Sequence, residues 1–495
     1  MRPYVTFVLL LLFLAGFGAH VYLRPVAQHR PAAGTGSGSS AATAPSRKDK
    51  AEAKVKAGSK KAQSVGQAVP QLMKRPLRTT ALGWESLVPL LVANRGPTPG
   101  KGSLCAQEGL DLQISVADQL THVESALARG GADRDGADVA LLPLPAFVAA
   151  LERTRALAPR IFFVAGWSNG RDGLESSSEK ALLSPAKGEV RLVGSAGESA
   201  TLLGLFLLDA SGVPPRRVRL VPVTDAKAAT APLAAVERVR RDEPAVAPTR
   251  RLLLTTSDVS RLIPIVAVAP AGFVRGNEQA LAAWARCWLA GAKEMQADVP
   301  AAARLVAAMR GAPAVLDLLS RLGQITPSTL HDNARAAGLA GRGAVTIEAL
   351  FQRTFRLWRE LGVLSAPAPE SAPLSIEVIA ELARRDVSMA EAGPAAAPGK
   401  PKPIDEAALA EAKVLLVYSS PPGKLDDNAL AATVGLFAGV FERSPVRVSV
   451  REGIARARRV VSTARSRFDL AERVFPAAKP PLPRATATIE VVAAP

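Results

Sequence analysis

The chain has 495 residues, 48% of them apolar, and a formal net charge of +18. That length exceeds what one hydrophobic core supports, so at least two domains are expected. The charge sits on the flanks, which argues against a nucleic-acid-binding core: residues 25–78 hold 11 Lys and Arg against 2 acidic residues, residues 443–484 hold 11 against 3, and 79–442 balances to zero.

In chain order, residues 1–24 come first. Pro3 to Leu23 form an apolar run long enough to span a bilayer. Its densest part, Val5 to Ala19, also has the length of a signal-peptide core, and Gly16-Phe17-Gly18-Ala19 offers small residues suited to cleavage. An uncleaved anchor through residues 3–23 is the preferred reading, and either alternative exports the rest of the chain to the cell envelope. Residues 25–76 are Ala/Gly/Ser/Pro-rich and then Lys-rich, without apolar periodicity, and read as a disordered basic linker. The lysines are read as a solvated spacer; attachment to an anionic surface such as lipid headgroups is the sharper alternative.

From Leu77 the pattern alternates strands and helices. The strand signals are a segment ending at Gly83-Trp84, Leu112 to Val116, Gly136 to Phe147, Arg160 to Gly173 with a polar loop at its end, Glu189 onward, and Arg217 to Asp225. Two helices have clear apolar faces: Leu281, Trp284, Ala285, Trp288 and Leu289, then Ile347, Leu350, Phe351, Phe355, Trp358 and Leu361 with Gly362 as terminator. These aromatics read as core.

Gly194 to Ser199 is a Gly/Ser turn between a strand and a helix. Its free backbone N–H groups and helix dipole would favour an anion. The structural alternative is Ser195 as N-cap, with Glu198 completing a capping box. Glu198 would also repel an anionic guest.

Enzymatic signals are weak. Gly166-Trp167-Ser168-Asn169-Gly170 matches a nucleophile-elbow pattern, but a polar stretch follows where a helix is required. His20, His29, His122 and His331 are scattered, and no spacing suggests a metal site. No catalytic residue, metal or cofactor is assigned. Cys105 and Cys287 lack paired spacing, and the sequence does not decide whether they form a disulfide.

On "LGWESLVPLLVANRG", "DVALLPLPAF", "VAGWSNGRDGL", "VGSAGESATLLGLFLLDASGV" and "LIPIVAVAPAGFVRGNEQALAAWARCWLAGAKE", the chain resembles the periplasmic substrate-binding proteins of nitrate/sulfonate/taurine ABC importers. The resemblance covers about Leu77 to Val299, with a helical extension, and implies a two-lobed (type II) α/β domain over residues 77–392. It implies a small-molecule ligand between the lobes, near Trp84, Glu85, Pro143 to Pro145, Trp167, Ser168, Ser195, Gly197, Ser199 and Asp225, and a link to ABC-type uptake. The stretch after Asp225 departs from that pattern, so the strand closing lobe two is expected to be missing or altered.

Residues 393–410 are a Pro-rich linker. Residues 411–495 read strand, helix, strand, basic helix, strand, with the adjacent Asp426-Asp427 as a solvated helix start. This βαβαβ order resembles a degenerate OmpA-type peptidoglycan-associating domain. Arg456 stands at the position that the resemblance assigns to cell-wall contact, but the loop carrying its acidic partner is replaced. The chain is thus expected to be a non-enzymatic envelope protein with a ligand-binding cleft. The alternative is a structural scaffold whose cleft is vestigial, held near membrane or peptidoglycan.

Overall fold

The computed structural model describes residues 70–183, 188–237, 249–310, 319, 321–385, 406–420, 423, 425–483 and 485–494. The apolar run at 3–23, nearly all of the basic linker and most of the Pro-rich linker lie outside these. Gln67–Pro495 forms one contact unit.

The first stretch runs β1 (Leu77–Leu82), α1 (Val88–Asn94), α2 (Leu104–Gln107), β2 (Leu112–Ala117), α3 (Leu120–Arg129), β3 (Val139–Pro143), α4 (Leu144–Ala150) and β4 (Arg160–Ser168). The chain then passes into β5 (Asp172–Ser176), β6 (Val190–Val193), α5 (Ser199–Ala210), β7 (Val218–Val221), β8 (Leu233–Glu237) and β9 (Arg251–Thr255). It returns through β10 (Pro264–Ala269), α6 (Ala271–Gly276), α7 (Glu278–Ala297), α8 (Val299–Arg310), β11 (Ile325–Pro327), α9 (Leu330–Ala336), α10 (Ile347–Glu360) and α11 (Glu377–Arg385). Last come α12 (Glu406–Glu411), β12 (Val414–Ser419), α13 (Asp427–Val440), β13 (Val446–Val450), α14 (Ile454–Arg467), β14 (Val474–Pro476) and β15 (Ala487–Val492).

Three sheets result. Lobe one has the order β11-β4-β10-β3-β1-β2, and lobe two β7-β6-β8-β5-β9. Two strand-to-strand crossings join them, β4 to β5 and β9 to β10, which is the two-lobed arrangement expected from the sequence. The central strands β4 and β10 are near-continuous apolar runs because helices cover both faces of their sheet.

The helix faces read from sequence are the buried ones. Leu281, Trp284, Ala285 and Trp288 of α7 lie in one core with Phe162 and Phe163 of β4, and Trp284 Nε1 donates to Thr79 Oγ1 at 2.9 Å. α7 packs closely on α1: a Cβ on Gly291 would stand 1.9 Å from the Pro89 carbonyl oxygen. Ile347, Leu350, Phe351, Phe355 and Trp358 of α10 are buried in a second core.

Three expectations are corrected here. Asp172–Ser176, read as polar loop, is strand β5, hydrogen-bonded on both sides to β8 and β9. The closing strand of lobe two is present: Leu233–Glu237 lies at the centre of that sheet, parallel to β6 and antiparallel to β5. Its sequence is Ala-rich and short, so it gave little strand signal. The C-terminal order is βαβαββ, with β14 added parallel to β13, in a sheet ordered β12-β15-β13-β14.

The C-terminal sheet does not stand apart from the lobes. One apolar cluster runs from Phe147 in lobe one, through Leu174 and Phe206 in lobe two, to Phe351 and Trp358 of α10 and Phe437 and Val448 of the C-terminal module. The Phe206 and Phe437 rings lie 6.2 Å apart.

Candidate functional site

Of the residues expected to line an interlobe cleft, Trp84, Glu85, Trp167, Ser168 and the Gly194–Ser199 bend lie at the junction of the lobes, several of them buried, and Asp225 does not. Trp84 and Glu85 follow β1, and Trp167 and Ser168 end β4; all four are less than 9% exposed. The bend Gly194–Glu198 leads from β6 to α5 and rests on lobe one. Gly197 has φ +86°, and a Cβ there would stand 3.3 Å from Ala149 Cβ of α4 and 3.7 Å from Leu120 Cδ2 of α3. A glycine meets both demands, a left-handed backbone and direct contact between lobes.

Ser195 is not the helix cap. The N-cap of α5 is Glu198, whose side chain turns back so that Oε2 accepts from the Ser195 backbone N–H at 2.9 Å and from Thr201 Oγ1 at 3.3 Å. The Ser195 N–H is thus taken by a carboxylate of the chain itself, while no side chain caps the first turn of α5. Ser199 is the first residue of α5. Asp225 is exposed beyond β7, the edge strand of its sheet, and its carboxylate caps a short turn by accepting from the Lys227 N–H at 2.8 Å.

The residue that sequence reading missed is Arg171, in the crossing from β4 to β5. Its guanidinium bonds Glu237 at the end of β8 in lobe two, and lies 3.7 Å from Glu85 in lobe one. The two carboxylates, from different lobes, close on one cation, and Arg171 is held strongly protonated by Glu237, Glu85 and Asp172 despite its burial. No short motif links positions 85, 171 and 237, so only the fold could reveal the bridge.

Beneath it lies a second polar group. Ser168 Oγ donates to Asp172 Oδ2 at 2.5 Å and lies 3.0 Å from Thr256 Oγ1, joining the two crossings. These partners are a carboxylate and a hydroxyl, which is not the histidine-activated arrangement of a nucleophile elbow. Burial pushes the Asp172 carboxyl up to about 6, against the opposing pull of Arg171 and Ser168, with Glu237 and Glu198 adding like-charge repulsion.

A raised carboxyl pKa means that the folded state binds the proton more tightly than the unfolded chain. The stabilisation is complete below the unfolded value near pH 4 and is lost as pH rises through 6, by about 3 kcal/mol for a shift of roughly two units. Asp172→Asn is therefore expected to flatten that component of the urea-midpoint profile between pH 4 and 6. An unchanged slope in the variant would show that Asp172 titrates normally.

Trp167 is covered by Arg261, whose guanidinium lies 5.2 Å from its ring centroid. Two cavities occur inside lobe one, one beside Glu85, Ser86, Trp288 and Leu322, the other beneath Leu120, Leu142 and Phe147; neither takes a residue from lobe two.

In the C-terminal module, Arg456 is fully engaged. It donates to Asp427 Oδ1 at 2.8 Å and to the Leu425 carbonyl at 2.5 Å, and pairs with Glu452 at 2.6 Å. The expectation of a missing acidic partner is corrected, since Asp427 pairs with Arg456; the solvated helix start is as expected, with exposed Asp426 capping α13 by accepting from the Ala429 N–H at 2.6 Å. That pairing pulls Asp427 below the ordinary carboxylate range.

No protein-family model matches the chain, and no curated protein matches it. Among solved structures it is similar to the aliphatic sulphonate binding protein SsuA of Escherichia coli, at 14% identity and TM-score 0.41, over 60% of this chain and 96% of that one. It is also similar to the nitrate-binding protein NrtA of Synechocystis PCC 6803, at 14% identity and TM-score 0.41, over 65% and 90%. A zinc-bound ligand-binding component of an ABC-type import system from Staphylococcus aureus gives 10% identity and TM-score 0.43, over 63% and 100%.

Proposed function

We propose that the chain is a non-enzymatic protein of the cell envelope, a two-lobed scaffold whose interlobe groove is filled by its own side chains. The observation that carries this reading is the Glu85–Arg171–Glu237 bridge between lobes, with the Glu198 carboxylate folded over the Ser195 N–H and the Thr201 hydroxyl at the start of α5. The guanidinium that would attract an anionic guest already has carboxylate partners, and the Glu198 carboxylate at the start of α5 would repel one. The buried disulfide between Cys105 and Cys287 fits an oxidising compartment. Among the described residues no helix is long and apolar enough to cross a membrane. Membrane attachment in this reading falls to residues 3–23, and the C-terminal module, of OmpA-like order, would hold the protein near cell wall or anionic lipid through exposed arginines such as Arg451, Arg458 and Arg459.

One observation favours a second reading, a ligand carrier with a cationic guest. Arg171 is surrounded by Glu85, Glu237 and Asp172, with Glu198 close enough to raise Asp172 further. A groove opened at this point would present an excess of carboxylate, which suits an amine or guanidine rather than a sulfonate or nitrate.

Calorimetric titration of residues 67–495 with nitrate, alkanesulfonates, carboxylates and small amines separates these readings. The scaffold predicts no heat of binding with any of them. Saturable micromolar binding of an amine would replace it by the carrier reading, and saturable binding of an anion would overturn both.

A further inference from the structure

We infer that the C-terminal module is a lock on the hinge between the lobes, worked through Arg261 and the end of α13. Arg261 lies in the return crossing from β9 to β10. Its backbone N–H donates to the Val440 carbonyl at 3.3 Å, and its Nε donates to Glu442 at 2.8 Å, both in the C-terminal module. The same guanidinium lies 3.4 Å from Asp332 of α9 and over the Trp167 ring at the end of β4. One side chain thus ties the hinge strand, lobe one and the C-terminal module together.

The module also grips each lobe separately. On lobe two, Phe437 of α13 packs on Phe206 of α5. On the lobe-one side, α9 is stitched to β4 by Asn333, which exchanges hydrogen bonds with the Val164 backbone at 2.7 and 2.9 Å. The module holds that side through Arg335 and Asp469 at 3.7 Å, the Asp469 N–H to the Arg342 carbonyl at 3.0 Å, and Arg342 to the Ser466 carbonyl at 2.5 Å. α10 spans the same junction: Trp358 Nε1 donates to the Pro145 carbonyl of lobe one at 3.1 Å, while Arg353 and Arg356 bind Asp209 of lobe two at 2.7 and 2.5 Å.

Hinge motion rotates the lobes about the two crossings. A body that grips both lobes and one crossing forbids that rotation until it lets go of a lobe. The closed groove is then one of two states, and the module sets their balance. This rests on the presence of a hinge and not on whether the groove accepts a ligand, so a calorimetric titration without binding leaves it untouched.

The test uses the full chain with spin labels at Arg134→Cys in lobe one and Arg219→Cys in lobe two, both exposed positions. The native cysteines are joined to each other and leave the labels specific. Two lock variants are compared with the parent. Glu442→Gln removes the C-terminal module's charge facing Arg261 and leaves that of Asp332 in place. Gly439→Ala places a Cβ 2.5 Å from Val345 Cγ2 and 3.2 Å from Ala344 Cβ, which wedges the module away.

The parent should give one interlobe distance. The variants should add a longer one, and amide exchange at Gly194–Ser199 should accelerate by up to roughly fivefold, the worth of a half-exposed ion pair. A single unchanged distance in both variants overturns the proposal, as does a parent that already shows both distances in the variants' proportions. If Gly439→Ala does not fold, the Glu442→Gln result alone decides.

Discussion

Arg171→Ala is expected to lower the stability of the folded unit by about 3–5 kcal/mol, the cost of removing one partner from a buried ion pair. The reason is what the substitution leaves behind. Glu85 is 8% exposed, and its Oε2 lies toward Arg171 and the Gly83 backbone. Asp172 is fully enclosed and loses its main attractive charge. Glu237 is more exposed and is rehydrated at lower cost. The penalty should therefore come mainly from Glu85 and Asp172, and the Asp172 share should shrink as pH falls below 6 and that carboxyl becomes protonated.

Two controls identify the cause. Arg171→Met with Glu85→Gln removes charge from both sides of the bridge and should recover most of the loss, because a buried pair replaced by uncharged groups of similar volume is often neutral. Methylguanidinium at millimolar concentration should raise the melting temperature of Arg171→Ala and leave the parent unchanged, since it binds only where the guanidinium is missing. A loss below about 1 kcal/mol for Arg171→Ala would mean that the bridge behaves as a surface pair and does not hold the lobes together.

The contrast with the sequence reading follows from the range of each interaction. Long apolar strands and amphipathic helices are local patterns, and β4, β10, α7 and α10 fall where those patterns place them. β8 was hidden because Leu-Ala-Ala-Val-Glu lacks the branched and aromatic side chains that mark a strand, and its place in the sheet comes from pairing with β5 and β6. β5 was hidden because Asp172, Glu175 and Ser176 are polar, although Asp172 and Ser176 are buried.

At the junction of the lobes, Trp84, Glu85, Trp167 and Ser168 could be picked out because they end strands. Arg171 could not, since its role depends on residues 66 positions away at Glu237 and farther still at Glu85. Ser195 looked like a cap, but the left-handed turn at Gly197 delays the helix to Ser199 and leaves the capping position to Glu198. The same reasoning applies to Arg456: its acidic partner does not lie in the loop after β13 alone, because α13 delivers Asp427 from the other side.

Replacing Cys105 and Cys287 together by Ala should cost about 2–5 kcal/mol. The bond joins α2 to α7 across a sequence separation of 182 residues, so in the unfolded chain it closes a very long loop. In the chain-entropy model such a loop lies at the upper end of disulfide stabilisation. Both sulfur-bearing residues are 0% exposed, in the core that also holds Trp284 and Trp288. Reductant should therefore act slowly on the native protein and quickly once urea has opened it. The measurement is a urea titration of oxidised parent, reduced parent and the double Ala variant, with thiols counted in denaturant. The expected order has the oxidised parent with the highest midpoint and the other two close together. Two free thiols in protein purified without reductant, or equal midpoints for all three, would show that the bond does not support the fold, and would remove its argument for export to an oxidising compartment.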